Sequence, residues 1–116
     1  MSKLDDYVRF LRALGSPERL SILELLEGRE MSASEIEKNF FMEQSTASHH
    51  LNTLKRAGVV DTRKEGRNVF YKVNDQFVKT FYDDFLSHLK DKSIDETHQV
   101  RRRQEKASVA SNPLEI

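Results

Sequence analysis

The spacing of apolar residues changes twice along the chain, and this limits the folds that the chain can adopt. Up to Gly58 the apolar residues recur at three- and four-residue intervals, as in amphipathic helices. Two short runs rich in β-branched and aromatic residues, VVDTRK and NVFYKV, then flank the sequence EGR and predict a β-hairpin. From Asp75 the helical spacing returns. A hairpin between helices predicts a mainly α fold with a small β component.

Start and stop signals divide the chain before the hairpin into four helices. Ser16 followed by Pro17 is a typical helix start, and Ser32 with Glu35 has the spacing of a capping box. The predicted helices span 4–14, from Pro17 to Gly28, up to Phe40, and from about Gln44 to Ala57. The order α-α-α-α-β-β-α predicts a winged helix-turn-helix, an arrangement common in DNA-reading proteins.

The length and composition indicate one small domain. At 116 residues the chain is long enough for a single core, which we expect in a domain at 1–92, with a polar, flexible tail at 93–116. The sequence contains no apolar run of membrane-spanning length and no secretory signal, so we expect a cytoplasmic protein without membrane partners. The absence of cysteine excludes disulfides, thiolate metal sites and thiol redox sensing.

The fourth helix, with the sequence STASHHLNTLKRAG at 45–58, has one apolar and one polar side. At about 100° per residue, Ala47, Leu51 and Leu54 share the side predicted to be buried. The opposite side carries Ser45, Thr46, Ser48, His49, Asn52 and Arg56. Short polar side chains let a helix approach base edges closely, so this side is predicted to read DNA in the major groove. The alternative is an ordinary solvated face, although such a face more usually carries Glu and Lys four residues apart.

Positive charge is concentrated on this helix and the hairpin, although the net charge of the chain is zero. Residues 43–72 carry six Lys or Arg and three Asp or Glu, whereas the segments before and after have net charges of −2 and −1. Such a patch attracts an anionic partner even to a neutral protein. We expect Arg63, Lys64 and Arg67 of the hairpin to hold phosphates or enter the minor groove.

The adjacent histidines His49 and His50 do not form a metal or catalytic site. Neighbouring residues on a helix point about 100° apart, so the two rings cannot hold one ion together. No nearby residues supply a nucleophile with its orienting group, and the sequence does not predict an enzyme. We expect His49 to face outward toward DNA and His50 to pack between helices, with one ring nitrogen bonded to the backbone.

Three stretches resemble the ArsR/SmtB family of winged-helix repressors: ALGSPERLSILELLEG, QSTASHHLNTLKRAGVV and RKEGRNVFYKV. The resemblance covers about residues 4–91. It implies a homodimer, built on the first and last helices, that binds a pseudo-palindromic operator in double-stranded DNA and represses a gene. It also implies base-facing roles for Gln44, Ser45, Thr46, Ser48 and His49, and hairpin roles for Arg63, Lys64 and Arg67.

The apolar residues of the last helix also favour a dimer. Seven of them form a stripe that is too broad for so small a domain to cover: Phe77, Val78, Phe81, Tyr82, Phe85, Leu86 and Leu89. A matching surface on the first helix is offered by Leu4, Tyr7, Val8 and Leu11. The alternative is that the stripe belongs to the core of a single domain.

The chain departs from the family pattern at its metal sites. Ser32 and Ser34 stand where thiolate ligands would lie, which excludes arsenic, cadmium or lead sensing there. Asp84, His88 and His98 leave a zinc- or nickel-responsive repressor as an alternative, but we expect no bound metal and no cofactor. A further alternative is a winged-helix module that docks a protein, and the sequence does not reveal an effector or partner protein.

The connection before the fourth helix also departs from the pattern. Phe41 stands where the family often has glycine, and Phe40, Phe41 and Met42 form an apolar cluster. We expect this cluster to pack in the core or the turn, with partial exposure as the alternative. The function of the arginine run 101–103 in the tail is not predicted.

Overall fold

A computed structural model describes residues 3–91. The elements run in the order α1 (Lys3–Leu14), α2 (Pro17–Leu25), β1 (Met31–Ser32), α3 (Ala33–Phe40), α4 (Gln44–Arg56), β2 (Val60–Glu65), β3 (Asn68–Val73) and α5 (Asp75–Lys90). The predicted helices and hairpin are therefore confirmed. The predicted tail at 93–116, including the arginine run 101–103, lies outside the described residues.

The hairpin forms a three-stranded antiparallel sheet because a short strand, β1, joins it. The strand order is β1-β3-β2, with Met31 opposite Tyr71. Between β2 and β3 the pairing continues to Glu65 opposite Asn68, so only two residues make the turn. The sequence pattern missed β1 because two residues are too few to show a period.

The helix starts agree with the predicted caps. Ser16 Oγ accepts a hydrogen bond from Arg19 N at 3.3 Å at the start of α2. At the start of α3, Glu35 N donates to Ser32 Oγ at 3.2 Å, and Ser32 N donates to Glu35 Oε1 at 2.9 Å. This reciprocal pair is a capping box, and the backbone bond lowers the pKa of the Glu35 carboxyl. Ser32 thus caps a helix, as the spacing of Ser32 and Glu35 predicted.

The core lies between the inward faces of α1 to α4 and the residues after α4. The inward side of α4, Ala47, Leu51 and Leu54, is buried as predicted. On α1 the buried residues are Tyr7, Phe10 and Ala13. The prediction that Tyr7 belongs to the dimer surface was therefore wrong, because its side chain packs into the core and is only 1% exposed. The remaining core positions on α2, α3 and the start of β2 are Ile22, Leu26, Ile36, Val59 and Val60.

Aromatic rings join α1 to the first part of α5. The Phe10 ring stacks on Phe81 with centroids 4.5 Å apart, and Tyr7 meets Phe81 edge-on at 5.4 Å. Tyr7 Oη donates to Asp84 Oδ2 at 2.8 Å. These contacts cover one side of α5 only, and Tyr82 remains 52% exposed. These aromatic residues and Asp84 belong to a compact unit that ends at Phe85. A second unit begins at Leu86 and includes Leu89, which is also exposed.

Gly58 ends α4 in a conformation that requires glycine. Gly58 N donates to Lys55 O and Val59 N donates to Leu54 O, both at 3.0 Å, which is the hydrogen-bond pattern of a Schellman motif. The φ angle of Gly58 is +83°, in the left-handed region. A Cβ atom at this position would lie 2.8 Å from the ring of Phe77.

We expect Gly58→Ala to lower the free energy of unfolding by about 2–5 kcal/mol, because backbone strain of about 1–2 adds to an overpacking cost of about 1–3. Gly28→Ala is the matched control. Gly28 also has a positive φ angle, of +69°, but nothing lies within 4 Å of an added Cβ atom, so only the backbone cost applies. Urea denaturation at one fixed protein concentration measures both. Equal losses in the two variants would contradict the proposed clash with Phe77.

Candidate nucleic-acid interface

The polar side of α4 faces solvent. We call this surface the polar strip, and it comprises Gln44, Ser45, Thr46, Ser48, His49, Asn52 and Arg56, all exposed. Only its last residue is bonded back to the helix, through Arg56 Nε and Asn52 O at 3.4 Å. The strip therefore presents hydroxyl, amide and imidazole groups at the surface, while Leu51 and Leu54 hold the opposite side of the helix in the core.

Arg19 joins the end of α1 to α4. Its Nε donates to Ala13 O at 2.7 Å, and its Nη2 donates to Arg12 O at 3.0 Å. Its Nη1 lies 3.1 Å from Nδ1 of His50. His50 is half-buried between the helices, as predicted, but the expected backbone partner was wrong because the partner is the Arg19 side chain.

The contact with Arg19 determines the protonation state of His50. A guanidinium has only N–H donors, so Nδ1 of His50 must accept the hydrogen bond, and the ring proton lies on Nε2. Burial lowers the pKa of His50, and the positive charge of Arg19 lowers this pKa further. The ring is therefore neutral near pH 7 and links the polar strip to the fixed end of α1.

The hairpin carries four cations, Arg63, Lys64, Arg67 and Lys72, and the three that were predicted to contact DNA differ in their contacts. The Arg63 guanidinium binds Glu30 Oε1 at 2.6 Å and Glu65 Oε2 at 2.7 Å, and these carboxylates raise the pKa of Arg63. Its Cζ also lies 4.8 Å from the centre of the Phe70 ring. Much of its charge is thus compensated by the protein itself.

Lys64 and Arg67 are both exposed at the end of the hairpin. Within residues 3–91, neither side chain forms an ion pair. These two cations are accessible to an anionic partner without breaking an ion pair among the described residues.

The connection between α3 and α4 differs from the prediction at one position. Phe40 and Met42 pack against the core as expected. Phe41 does not, because its φ angle of +51° directs the chain into a left-handed turn and leaves the residue 97% exposed. Glu43, at the start of α4, makes no side-chain cap hydrogen bond.

Asp84, one of the three residues of the alternative metal site, already has partners within the protein. The Asp84 carboxylate accepts the hydrogen bond from Tyr7 and pairs with Lys3 Nζ at 3.3 Å. Among residues 3–91, no three His, Asp or Glu side chains are grouped so that they could hold an ion. His98 lies outside the described residues. None of the helices within this same range is sufficiently long and apolar to cross a membrane.

Comparison with protein families identifies similar regulators. A family model described as "Bacterial regulatory protein, arsR family" matches residues 16–62. An uncharacterized HTH-type transcriptional regulator of Methanocaldococcus jannaschii is 44% identical over 80 residues, covering 68% of this chain and 90% of that protein. The transcriptional repressor SdpR of Bacillus subtilis is 38% identical, covering 54% and 70%. The transcriptional activator HlyU of Vibrio cholerae is 40% identical, covering 62% and 67%.

The fold is also similar to solved structures. The solution structure of a homodimeric winged helix-turn-helix DNA-binding domain from Mycobacterium bovis is 31% identical, with a TM-score of 0.60. The match covers 76% of this chain and 93% of that domain. The predicted winged helix-turn-helix fold is thereby confirmed.

We expect the stability of the protein to fall as the pH drops below about 6.5, because the unfolded chain then binds a proton at position 50 more readily than the folded protein does. His50→Gln removes the titrating group and retains a side-chain oxygen that can accept from Arg19. Urea denaturation at pH 7.5 and pH 5.5 should show a smaller loss of stability in this variant than in the unmodified protein. His49→Gln, on the exposed neighbour, is the control. If His50→Gln loses as much stability as this control, the assigned role of His50 is wrong.

Proposed function

The chain belongs to the ArsR family of bacterial regulatory proteins, and from this premise we propose that it is a sequence-specific transcriptional repressor acting in the cytoplasm. In this proposal a homodimer binds a pseudo-palindromic operator and blocks its promoter, without a metal or cofactor. The observation that carries the proposal is the polar strip, a row of exposed short polar side chains on a helix whose leucines are buried.

The dimensions and chemistry of α4 suit the major groove. A helix with its side chains is about 10–12 Å across, and the major groove is about 12 Å wide. Gln44 and Asn52 offer an amide that can pair with adenine, and Ser45, Ser48 and His49 offer shorter donors and acceptors. Thr46 lies at one margin of the strip and Arg56 at its C-terminal end, where they would reach bases or sugar-phosphate.

We assign the phosphate contacts of the hairpin to Lys64 and Arg67. Both are exposed cations near the turn, and contacts of this kind orient a protein on the duplex without reading its sequence. Arg63 would support the hairpin through Glu30 and Glu65 and reach DNA only by exchanging a carboxylate for a phosphate. Because each phosphate contact releases counterions, operator binding should weaken steeply as the salt concentration rises.

The dimer that we propose forms through the exposed apolar residues of α1 and α5. Val8 and Leu11 on α1 are 40% and 43% exposed, and Tyr82 on α5 is 52% exposed. The similar Mycobacterium bovis domain is homodimeric. Two-fold symmetry would then set the two copies of α4 one turn of DNA apart, about 34 Å.

The direction of regulation is part of the proposal, because the similar regulators include proteins named as a repressor and as an activator. Repression needs only occupancy of the promoter by a bound dimer. A reporter driven by the promoter upstream of the protein's own gene tests this. Expression should rise when the gene is deleted, and a fall would favour activation.

We expect the double variant Ser48→Ala with His49→Ala to lose sequence-specific binding and remain dimeric, because both residues are exposed and neither is part of the core. Each base contact is worth about 1–3 kcal/mol, so the loss should be about 100-fold or more. Gel shifts on the promoter and on DNA selected from a random pool measure it. Ser21→Ala, an exposed serine on α2, is the control. Unchanged binding in the double variant would favour a module that docks a protein.

We expect Leu11→Asp to convert the dimer into monomers, because it places a charge in the proposed apolar interface. Leu20→Asp is the matched control, since Leu20 is similarly exposed, at 46%, but lies on α2 outside that interface. Sedimentation velocity reports the change in mass, and operator affinity should fall with it. Two dimeric variants would contradict the proposed interface.

A further inference from the structure

A groove of about 800 Å³ lies between α1 and α4, beside the polar strip. Its lining contains four arginines, Arg9, Arg12, Arg19 and Arg56, and one carboxylate, Asp5. Val8 also lines the groove, which therefore borders the proposed dimer interface. Such an excess of guanidinium groups produces a positive potential in the groove. Three of the four arginines lie on α1 and α2 and have no role in the proposed base contacts of α4.

The groove is continuous with the surface proposed to read DNA. His49 and Arg56 belong to the polar strip and also line the groove. A helix of about 10–12 Å fills a major groove of about 12 Å, so the phosphates of the two strands must run along both flanks of α4. The arginines that line the groove along one flank of α4 therefore lie where a sugar-phosphate backbone would pass.

The Arg19 side chain lines the groove and is held in place by hydrogen bonds. Its three hydrogen bonds are to two main-chain carbonyls and the neutral His50 ring, none of which carries a negative charge. The charge of Arg19 therefore adds to the potential in the groove without being available for a new bidentate contact. The Arg12 side chain is exposed, and only its carbonyl oxygen is used by Arg19.

We propose that Arg12, together with Arg9 one turn before it, binds phosphate groups of the operator backbone in the groove between α1 and α4. The inference rests on the proposed function and extends the DNA contact from α4 and the hairpin to the first helix. Guanidinium groups match phosphate oxygens in bidentate geometry, and contacts of this kind fix the orientation of a protein on DNA. A free polyanion has the same chemistry and is the competing occupant.

The test measures the salt dependence of operator binding by fluorescence anisotropy. Binding weakens with salt, so the slope of log K against log salt is negative, and each lost phosphate contact reduces its magnitude by about 0.9. Arg12→Gln should therefore reduce the magnitude by about 2, because a dimer loses two contacts. Affinity should fall equally for operator and for unrelated DNA, leaving the sequence preference unchanged. Arg9→Gln should act in the same direction, and Arg12→Lys should restore most of the slope because it retains the charge.

Lys79→Gln is the charge-matched control, since Lys79 lies on α5 and pairs with Asp83. It should leave the slope unchanged, and thermal denaturation should show that the Arg12 variants remain folded. The Ser48 and His49 double variant separates this inference from the proposed function, since it should lose sequence preference and keep its slope. An unchanged slope in Arg12→Gln, beside a loss of specificity in that double variant, would overturn the inference alone.

A second measurement distinguishes the two sources of phosphate. Calorimetry with pyrophosphate on the DNA-free protein should show no binding, because an extended backbone, and not a small ion, is the proposed occupant. Tight pyrophosphate binding that is lost in Arg12→Gln, with the salt slope unchanged, would make the groove a site for a small polyanion and overturn the assignment to DNA.

Discussion

The burial of three side chains beneath α4 determines which residues the helix can present. Ala47, Leu51 and Leu54 are all at most 1% exposed, and burying one leucine is worth about 1.5–3 kcal/mol. Successive residues on a helix differ by about 100° in direction, so a rotation by one residue would expose this apolar row and bury part of the polar strip. The Schellman motif at Gly58 then ends the helix and turns the chain into the sheet. The buried residues of α4 therefore determine which residues the helix presents to solvent.

Features that depend on local periodicity or on neighbours in sequence could be predicted from the chain alone. These include the capping box of α3, the hairpin and the two sides of α4. The contacts of His50 with Arg19 and of Arg63 with Glu30 could not, because they join residues 31 and 33 positions apart and have no signature in spacing. The burial of Tyr7 and Phe10 on α1 was not predicted either, since it depends on packing against α5 that local spacing does not indicate.

The electrostatics of the hairpin depend on which cations the protein already neutralises. A count of charges treats Arg63, Lys64 and Arg67 alike, but Arg63 is held between two carboxylates. These carboxylates would repel a phosphate brought close to them, so binding near Arg63 must either displace them or avoid them. Beyond Arg63 and its two carboxylates, positive charge lies on Lys64 and Arg67 in the hairpin and on the arginines between α1 and α4. Under our proposal, the polar strip between these two cationic regions contributes sequence preference, and the cations contribute orientation and most of the salt dependence.

The first helix occupies a central position in this scheme because it contributes to four sets of contacts at once. Its inward side packs through Phe10 on α5, and its C-terminal carbonyls hold Arg19 against His50 of α4. Its outward side carries Val8 and Leu11 of the proposed dimer interface, and the same helix supplies Arg9 and Arg12 to the groove. Since these groups share one rigid element, a shift of α1 at the dimer interface would move the groove and the support of His50 together. Under our proposal, a change in the pairing of the subunits would therefore reach the proposed DNA contacts through α1.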